Sequence, residues 1–439
     1  MFRERWRGIW PCLLLSLQAG LLAWSAAHQS PTYDEPAHLA AGVGHWDCAR
    51  FDLNIGNPPL VGMIGALPVL AADPQTDWSR IPNLGHIRDD FMAANGPRTL
   101  WLITLARWAL IPLALAGGYV SFRWARELFG YAGGMVTLTL WCFSPFFLGH
   151  GSLLTGDMSA TSLGIIAFYG FWKWLSRPTP GRAAMAGVLL GLAELAKYVW
   201  VILIPLWPLL WIAWRRMDRG RAERSSFARE AGHGLLMMAT AVFVINLGFA
   251  FENSFPPLGQ SRVGTKASMH TGPFGATGQG LGRMAAAGMP GLCLVPFPEN
   301  YLRGIGAVSR RRGARPKSYL RGELRPGGWW YFYPYALAVK LPLGTLALLG
   351  LAGILIDPRQ TDPAVWRTEL LLLIVPFLVV LCFVTWSGTV QRPRYALPVL
   401  AFAFVWAGSV GRVFQEPSRP LAILVSGCLA WVVASSLWI

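Results

Sequence analysis

The chain has 439 residues, 54% of them hydrophobic and only 14% charged, with 22 Trp, 23 Phe and a formal net charge of +16. A soluble protein would carry about 25% charged residues, so the composition excludes an ordinary soluble multidomain protein. No basic segment stands apart from the apolar blocks, which argues against nucleic acid as the partner of the positive charge and leaves anionic lipid or phosphate-bearing substrates.

Apolar blocks recur at lengths near the roughly 20 residues that cross a bilayer. The expected architecture is an all-α polytopic membrane protein, a single unit over 1–439, in the plasma (inner) membrane. Arg3, Arg5 and Arg7 precede an apolar run from Ile9 to Ala27, which places the N-terminus in the cytoplasm. A cleaved signal peptide is the rival reading, because Ser25 and Ala27 form a small-x-small site.

Residues 28–98 then form a first outer loop. It holds an amphipathic stretch from Glu35 to Trp46 and an apolar stretch from Pro58 to Ala71 that is too short to span, so juxtamembrane helices are expected there. Further spans are expected near 99–121, 131–149, 158–175, 183–196, 198–214, 233–250, 333–356, 369–386, 395–411 and 420–438, about 11 in all. The short turns test this topology. Arg123 and Arg126, Arg177 and Arg182, the cluster from Arg215 to Arg229, Arg359 and Arg367, and Arg412 and Arg419 all fall on the cytoplasmic side, as the positive-inside rule requires. The basic loop 251–330 falls outside, and long loops translocate largely regardless of charge. It is rich in Gly and Pro, shows no strong periodicity, and reads as a functional loop or a partly mobile one. The six cysteines show no CxxC or metal-type spacing. Cys48 and Cys293 are both expected outside, where a disulfide between them is one option.

The residues able to do chemistry collect on the outer face. Asp34 and Glu35 follow the first span directly. A carboxylate near low dielectric suits a general base that takes a proton from a hydroxyl; the bland reading is that Asp34 caps a helix with Pro36 in its first turn. His38 and His45 would share one helix face and, with Asp34 or Glu35, could ligate a divalent metal, although such histidines are more often interfacial polar residues. Asn57-Pro58-Pro59-Leu60 reads as scaffold. Asp157 lies between two apolar blocks, either as a helix cap or as part of the Asp34 site; the preceding GxxxxG spacing lacks the lysine of a P-loop. Arg107 sits inside the second span, where a cation defaults to a functional hypothesis with an anionic partner. Lys197, Arg392 and Arg394 lie near the outer boundary and could hold a phosphate; the alternatives are ion pairs with Asp157, Glu194 or Glu35, or snorkelling.

At these residues the sequence resembles the GT-C glycosyltransferases that use polyprenyl-phosphate-linked sugars, of the protein O-mannosyltransferase and lipid A aminoarabinose transferase type. Thr32 to His38 looks like the family's acidic motif in the first outer loop. Asn57-Pro58-Pro59-Leu60, Leu105-Ala106-Arg107, Arg126 to Gly130, Asp157, Gly191 to Lys197, Trp329 to Tyr333 with Lys340-Leu341-Pro342-Leu343, and Arg394 to Pro398 resemble its further elements in order. The resemblance runs from about residue 5 to 439. It implies an inverting transfer from a polyprenyl-phosphate sugar donor to a protein, lipid or glycan acceptor on the non-cytoplasmic side. Asp34 would be the base, supported by Glu35 and Asp157. Arg107, Lys197 and Arg394, with Tyr395 and His38, would bind the substrates. Some relatives carry a divalent metal and others need none, so a metal held by Glu35 and His38 stays open. The chain departs from the pattern in showing no soluble acceptor-binding domain after its last span. A secondary transporter would favour paired repeats and midplane ionisable residues, and a lipid-linked glycan polymerase or ligase is the third reading.

Overall fold

The structure is a computed structural model and describes residues 2–78, 84–218, 220, 225–256, 295–313, 316–355, 361–386, 390–415 and 419–438. The side chains of Arg3, Arg5 and Arg7, and Arg219, Arg221, Arg224, Arg359, Cys293 and residues 257–294 of the basic loop lie outside the described residues.

Helices answer the apolar blocks. Helix α1 (Phe2–His28) leads into the first outer loop, which folds as three short helices, α2 (Glu35–Asp47), α3 (Leu60–Leu70) and α4 (Leu84–Asn95). Helix α5 (Arg98–Cys142) has 45 residues. At 1.5 Å per residue it covers ~67 Å, about twice the ~30 Å hydrocarbon core, so it cannot be one crossing. Its backbone breaks at Gly130, with φ 79° and ψ −178°, a conformation open to glycine without steric cost. The expected spans 99–121 and 131–149 therefore correspond to the two halves of α5 on either side of the break at Gly130. The second half ends at Cys142 and is followed by the short α6 (Pro145–Gly151).

Helices α7 (Gly156–Ser176) and α8 (Pro180–Ala196) form the next hairpin; Thr179 caps α8 by accepting from the Arg182 amide. Lys197 is extended, and a 3-10 turn (Tyr198–Ile202) leads into α9 (Leu203–Met217) and then α10 (Phe227–Gly248). Small residues bring α8 and α10 together: a Cβ on Gly187 would lie 2.3 Å from the Met237 carbonyl oxygen, the close approach that membrane helices use to pack.

The described part of the basic loop is ordered, contrary to the reading of a loop without periodicity. It contains α11 (Glu299–Gly313) and a hairpin of β1 (Lys317–Leu320) and β2 (Glu323–Pro326), with Tyr319 opposite Leu324. Arg321 and Gly322 both have positive φ, 51° and 87°, as a two-residue type I′ hairpin turn demands. Helices α12 (Phe332–Lys340) and α13 (Leu343–Ile354) follow, bent by 117° at Leu341-Pro342. Then come α14 (Pro363–Thr368), a π-helical stretch (Glu369–Ile374), α15 (Val375–Trp386), a 3-10 turn (Pro393–Ala396), α16 (Leu397–Ala407), a second 3-10 stretch (Gly408–Phe414) and α17 (Arg419–Leu437).

Among the described residues, seven helices are long and apolar enough to cross a membrane, or eight if the bent pair α12–α13 is one span. The count of about 11 is not reached on this measure, because α5 enters once, α8 has only 17 residues, and α7 carries Ser159, Thr161 and Ser162. Trp124, Trp141, Trp200, Phe168 and Phe402 pack inside, while Leu13, Leu235, Phe243, Leu247, Ile423 and Trp431 face outward. An exterior this apolar suits lipid rather than water, and the chain is an integral, multi-pass membrane protein.

Candidate active site

The two adjacent carboxylates of the first loop separate at the start of α2. Glu35 points inward and is 0% exposed; Arg107, from α5, is 1% exposed and meets it fork to fork. Arg107 Nε donates to Glu35 Oε1 at 2.8 Å and Nη2 donates to Oε2 at 2.7 Å. The remaining guanidinium hydrogens go to the carbonyls of Ala26 and Gln29 (2.8 Å each, from Nη1) and Ser30 (3.1 Å, from Nη2). A guanidinium has five N–H donors, and all five are satisfied within the protein. Glu35 is equally engaged: Oε2 accepts from the Thr32 amide at 2.7 Å and its hydroxyl at 3.0 Å, and Oε1 accepts from the Leu154 amide at 2.7 Å. Burial pushes the Glu35 carboxyl up, but the Arg107 bonds and the two amides outweigh it and hold the group below the usual carboxylate range.

Asp34 occupies the N-cap position of α2, yet its side chain makes no capping bond. It turns outward, 39% exposed, to Arg394 Nη2 at 3.3 Å and Arg392 Nη1 at 3.8 Å. Arg394 also faces Asp157: its Nε lies 3.6 Å from Asp157 Oδ2, too long for a hydrogen bond, and is buried without a hydrogen-bond partner. Asp157, 5% exposed in the first turn of α7, contacts Lys197 Nζ through its other oxygen. Lys197 Nζ lies 4.8 Å from the centroid of the Tyr395 ring, and the Arg394 guanidinium lies 5.7 Å from it, within cation–π reach.

Every member of this cluster sits at a helix end or break, and three contacts hold those ends in register. The Glu35–Leu154 bond ties the start of α2 to the turn that precedes Asp157. Gly42 of α2 and Gly62 of α3 pack backbone to backbone; a Cβ on Gly42 would lie 2.2 Å from the Gly62 oxygen. Gln391 brackets Trp329, accepting from its amide at 2.9 Å and donating to its carbonyl at 2.7 Å, while its own amide donates to Ser318 Oγ at 2.9 Å. The hairpin thereby anchors the segment that carries Arg392 and Arg394. Gln391 directly precedes Arg392 in sequence, but its role depends on partners 62 and 73 residues away.

His38 is held by Asn54, whose Nδ2 lies 3.0 Å from His38 Nδ1. Burial lowers its proton affinity, opposed by the charges of Asp34 and Asp157. His45 donates through Nδ1 to the Arg50 carbonyl at 2.7 Å and stacks on Phe51. Both histidines line a cavity with Asn54, Asn57, Leu154 and Gly156, so they do share a face. His150 of α6, not singled out from the sequence, has a buried Nδ1 without a partner and feels the charges of Asp157, Arg394, Lys197 and Lys340.

A divalent metal does not fit Glu35 and His38 as arranged. Both Glu35 oxygens are spent on Arg107 and amide or hydroxyl donors, and His38, held at Nδ1 by Asn54, has only its Nε2 left as a ligand atom. Among the described residues no three His, Cys, Asp or Glu side chains converge as a metal site. The positive charge between Asp34 and Asp157 comes instead from Arg394.

No family model matches the chain. An oligosaccharyltransferase from Archaeoglobus fulgidus, crystallised with Zn and sulfate, superposes with a TM-score of 0.53 at 12% identity, over 96% of this chain and 52% of that one. The chain has the GT-C fold. It accounts for about half the length of that oligosaccharyltransferase. ArnT from Cupriavidus metallidurans, bound to undecaprenyl phosphate, gives a TM-score of 0.38 at 15% identity over 92% of this chain and 78% of that one. An undecaprenyl-phosphate alpha-N-acetylglucosaminyl 1-phosphate transferase from Yersinia pestis is 28% identical over 226 residues, covering 46% of this chain and 57% of its own length. The GT-C fold agrees with the sequence resemblance drawn from the ordered motifs.

Proposed function

We propose that this protein is an inverting glycosyltransferase that moves a sugar from a polyprenyl-phosphate carrier to an acceptor hydroxyl or phosphate on the non-cytoplasmic side of the membrane. The observation that carries this reading is the placement of Asp34 and Asp157 across one guanidinium, Arg394, beside Lys197. A displacement at an anomeric carbon needs a base on the nucleophile's side and cations on the leaving group's side, a few ångströms apart. The GT-C fold and the name of the Yersinia pestis relative, a transferase acting on undecaprenyl phosphate, support the same substrate class.

In this reading the acceptor oxygen attacks the anomeric carbon while Asp34 takes its proton. The bond from that carbon to the phosphate oxygen breaks, and its electron pair stays on the phosphate. Arg394, Arg392 and Lys197 face two carboxylates, so one positive charge is left over to meet the leaving phosphate; Lys340 is a further cation nearby. Asp157 orients Lys197 and Arg394. Tyr395 and His38 shape the substrate site. Glu35 and Arg107 act as its scaffold, since Arg107 has no donor left for a phosphate. Positive-inside turns support an outer-facing site. A transporter is disfavoured because the ionisable cluster lies at helix ends beside the first loop rather than at a broken midplane.

The test is Asp34→Asn in native membranes or nanodiscs. Transfer from a lipid-linked sugar donor should fall about 10²–10⁴-fold, the usual weight of a positioned base, with protein level and thermal stability unchanged. Transfer at the parental rate would remove Asp34 from the mechanism.

A further inference from the structure

We infer that Asp34 and the donor phosphate compete for Arg392 and Arg394, so that the base is masked in the empty site and the donor must bind before the acceptor can be activated. The inference rests on the functional reading above and adds an order to it.

The two charge pairs of the site are built differently. Arg107 and Glu35 are buried and saturated, with contacts of 2.7 and 2.8 Å. Arg394 is unsaturated: it makes one long hydrogen bond to Asp34, and its Nε has no hydrogen-bond partner. Arg392 is 49% exposed and lies 3.8 Å from the same Asp34 oxygen. A guanidinium with unused donors at a half-open rim is the form expected of an anion site. Among the described residues, Asp34 is the half-exposed carboxylate that faces both arginines at that rim.

The lipid-phosphate sugar is a phosphodiester with one negative charge on two unesterified oxygens, a match for one carboxylate, and its lipid and sugar add contacts that the Asp34 side chain lacks. It therefore displaces Asp34 from both arginines. Arg394 stays in place because the buried Asp157 still faces its Nε and is itself held by Lys197. The displacement leaves both oxygens of Asp34 open to the acceptor hydroxyl at the moment the sugar is present. No covalent change is involved; one anion replaces another.

The competition predicts a gain of binding in an inactive variant. Binding of geranyl phosphate to the purified full chain is measured by calorimetry for the parent, Asp34→Asn, Arg392→Ala and the Asp34→Asn/Arg392→Ala pair, with inorganic phosphate and geraniol as the headgroup-only and tail-only arms. Asp34→Asn should bind geranyl phosphate roughly fivefold or more tightly than the parent, the factor a single weak ion pair can exert. Inorganic phosphate should tighten by a similar factor from a weaker start, and geraniol should not change. Arg392→Ala should weaken binding and shrink the gain in the double variant. Unchanged or weaker geranyl phosphate binding by Asp34→Asn, while the parent binds, overturns the competition but leaves the transferase reading standing. A gain seen with geraniol overturns it too, because the effect would not come from charge. Binding of geranyl phosphate by neither protein overturns both.

Discussion

Arg107 and Glu35, 72 residues apart in sequence, meet in a two-bond fork with neither side chain more than 1% exposed. The pair joins the end of α1, the first outer loop and α5, and through Leu154 it also sets the start of α7. Removing one partner strands a buried charge and five hydrogen-bonding groups. Arg107→Ala and Glu35→Ala should each cost about 3–5 kcal/mol, read as a large drop in melting temperature in nanodiscs. Arg107→Lys should also fail, since an ammonium cannot reproduce the fork. A melting temperature close to the parent's, with donor binding lost, would return Arg107 to the role of phosphate ligand.

The glycine contact between α2 and α3 sets the position of Asp34 by packing alone. Gly42→Ala would put a methyl group 2.2 Å from the Gly62 carbonyl oxygen, where only backbone can give way. The expected cost is roughly 1–3 kcal/mol of overpacking, with α2 displaced and transfer reduced more than donor binding. Gly20→Ala on α1, which meets nothing within 4 Å, is the matched control and should behave like the parent in both assays.

Acid should destabilise this protein in a window set by two histidines. Burial lowers the proton affinity of His38 and of His45 from the ordinary value of 6.5. The unfolded chain therefore takes up protons near pH 6.5 that the folded chain resists, so the stability these rings contribute is complete above that pH and is lost as the pH falls through their lower folded values. Glu35, held below its ordinary value of 4.5, adds a second loss at more acid pH with the same sign. Melting temperature measured from pH 7.5 downward should begin to fall below about pH 6.5. His38→Asn and His45→Gln should each flatten that part of the curve, and a curve unaltered by both changes would assign the loss to other groups.

Much of this was legible in the sequence, and the remainder was hidden for physical reasons. Composition and the spacing of apolar blocks gave the helical membrane architecture, because a bilayer accepts few alternatives. The segment Tyr33 to His38, Asp157, Lys197 and Arg394 could be picked out as unusual charges beside apolar runs. Which of two adjacent carboxylates faces the site could not, since the choice is made by partners far along the chain: Arg107 draws Glu35 inward and Arg394, 360 residues away, draws Asp34 outward. The separation at Gly130 was legible, since the spans 99–121 and 131–149 are set apart there, although nothing in the sequence declares the φ of Gly130. The hairpin was missed because Arg321-Gly322 is a turn signal only once flanking strands are assumed, and the loop was read as irregular.

Among the described residues, the helix α11 of the outer loop is tied to α8 by a buried side-chain hydrogen bond. Tyr301 of α11 donates to Glu194 Oε2 at 2.9 Å, and both side chains are nearly inaccessible. Glu194 Oε1 has no hydrogen-bond partner, so the carboxyl depends on Tyr301. Tyr301→Phe keeps the packing against Phe249 and Phe297 but leaves the carboxyl unsatisfied, a change worth about 1–3 kcal/mol. The helix is short, and its other fastenings are packing around Tyr198 and hydrogen bonds from Glu299 and Asn300 to Asn253 and Glu252, so this loss should appear as local opening rather than global unfolding. Trypsin should then cut after Arg303 several-fold faster in Tyr301→Phe than in the parent, with the melting temperature of the membrane domain little changed. Glu194→Gln, which can still accept from the Tyr301 hydroxyl, should restrain the same cleavage. Equal cleavage in parent and Tyr301→Phe would mean that packing alone holds α11 in place.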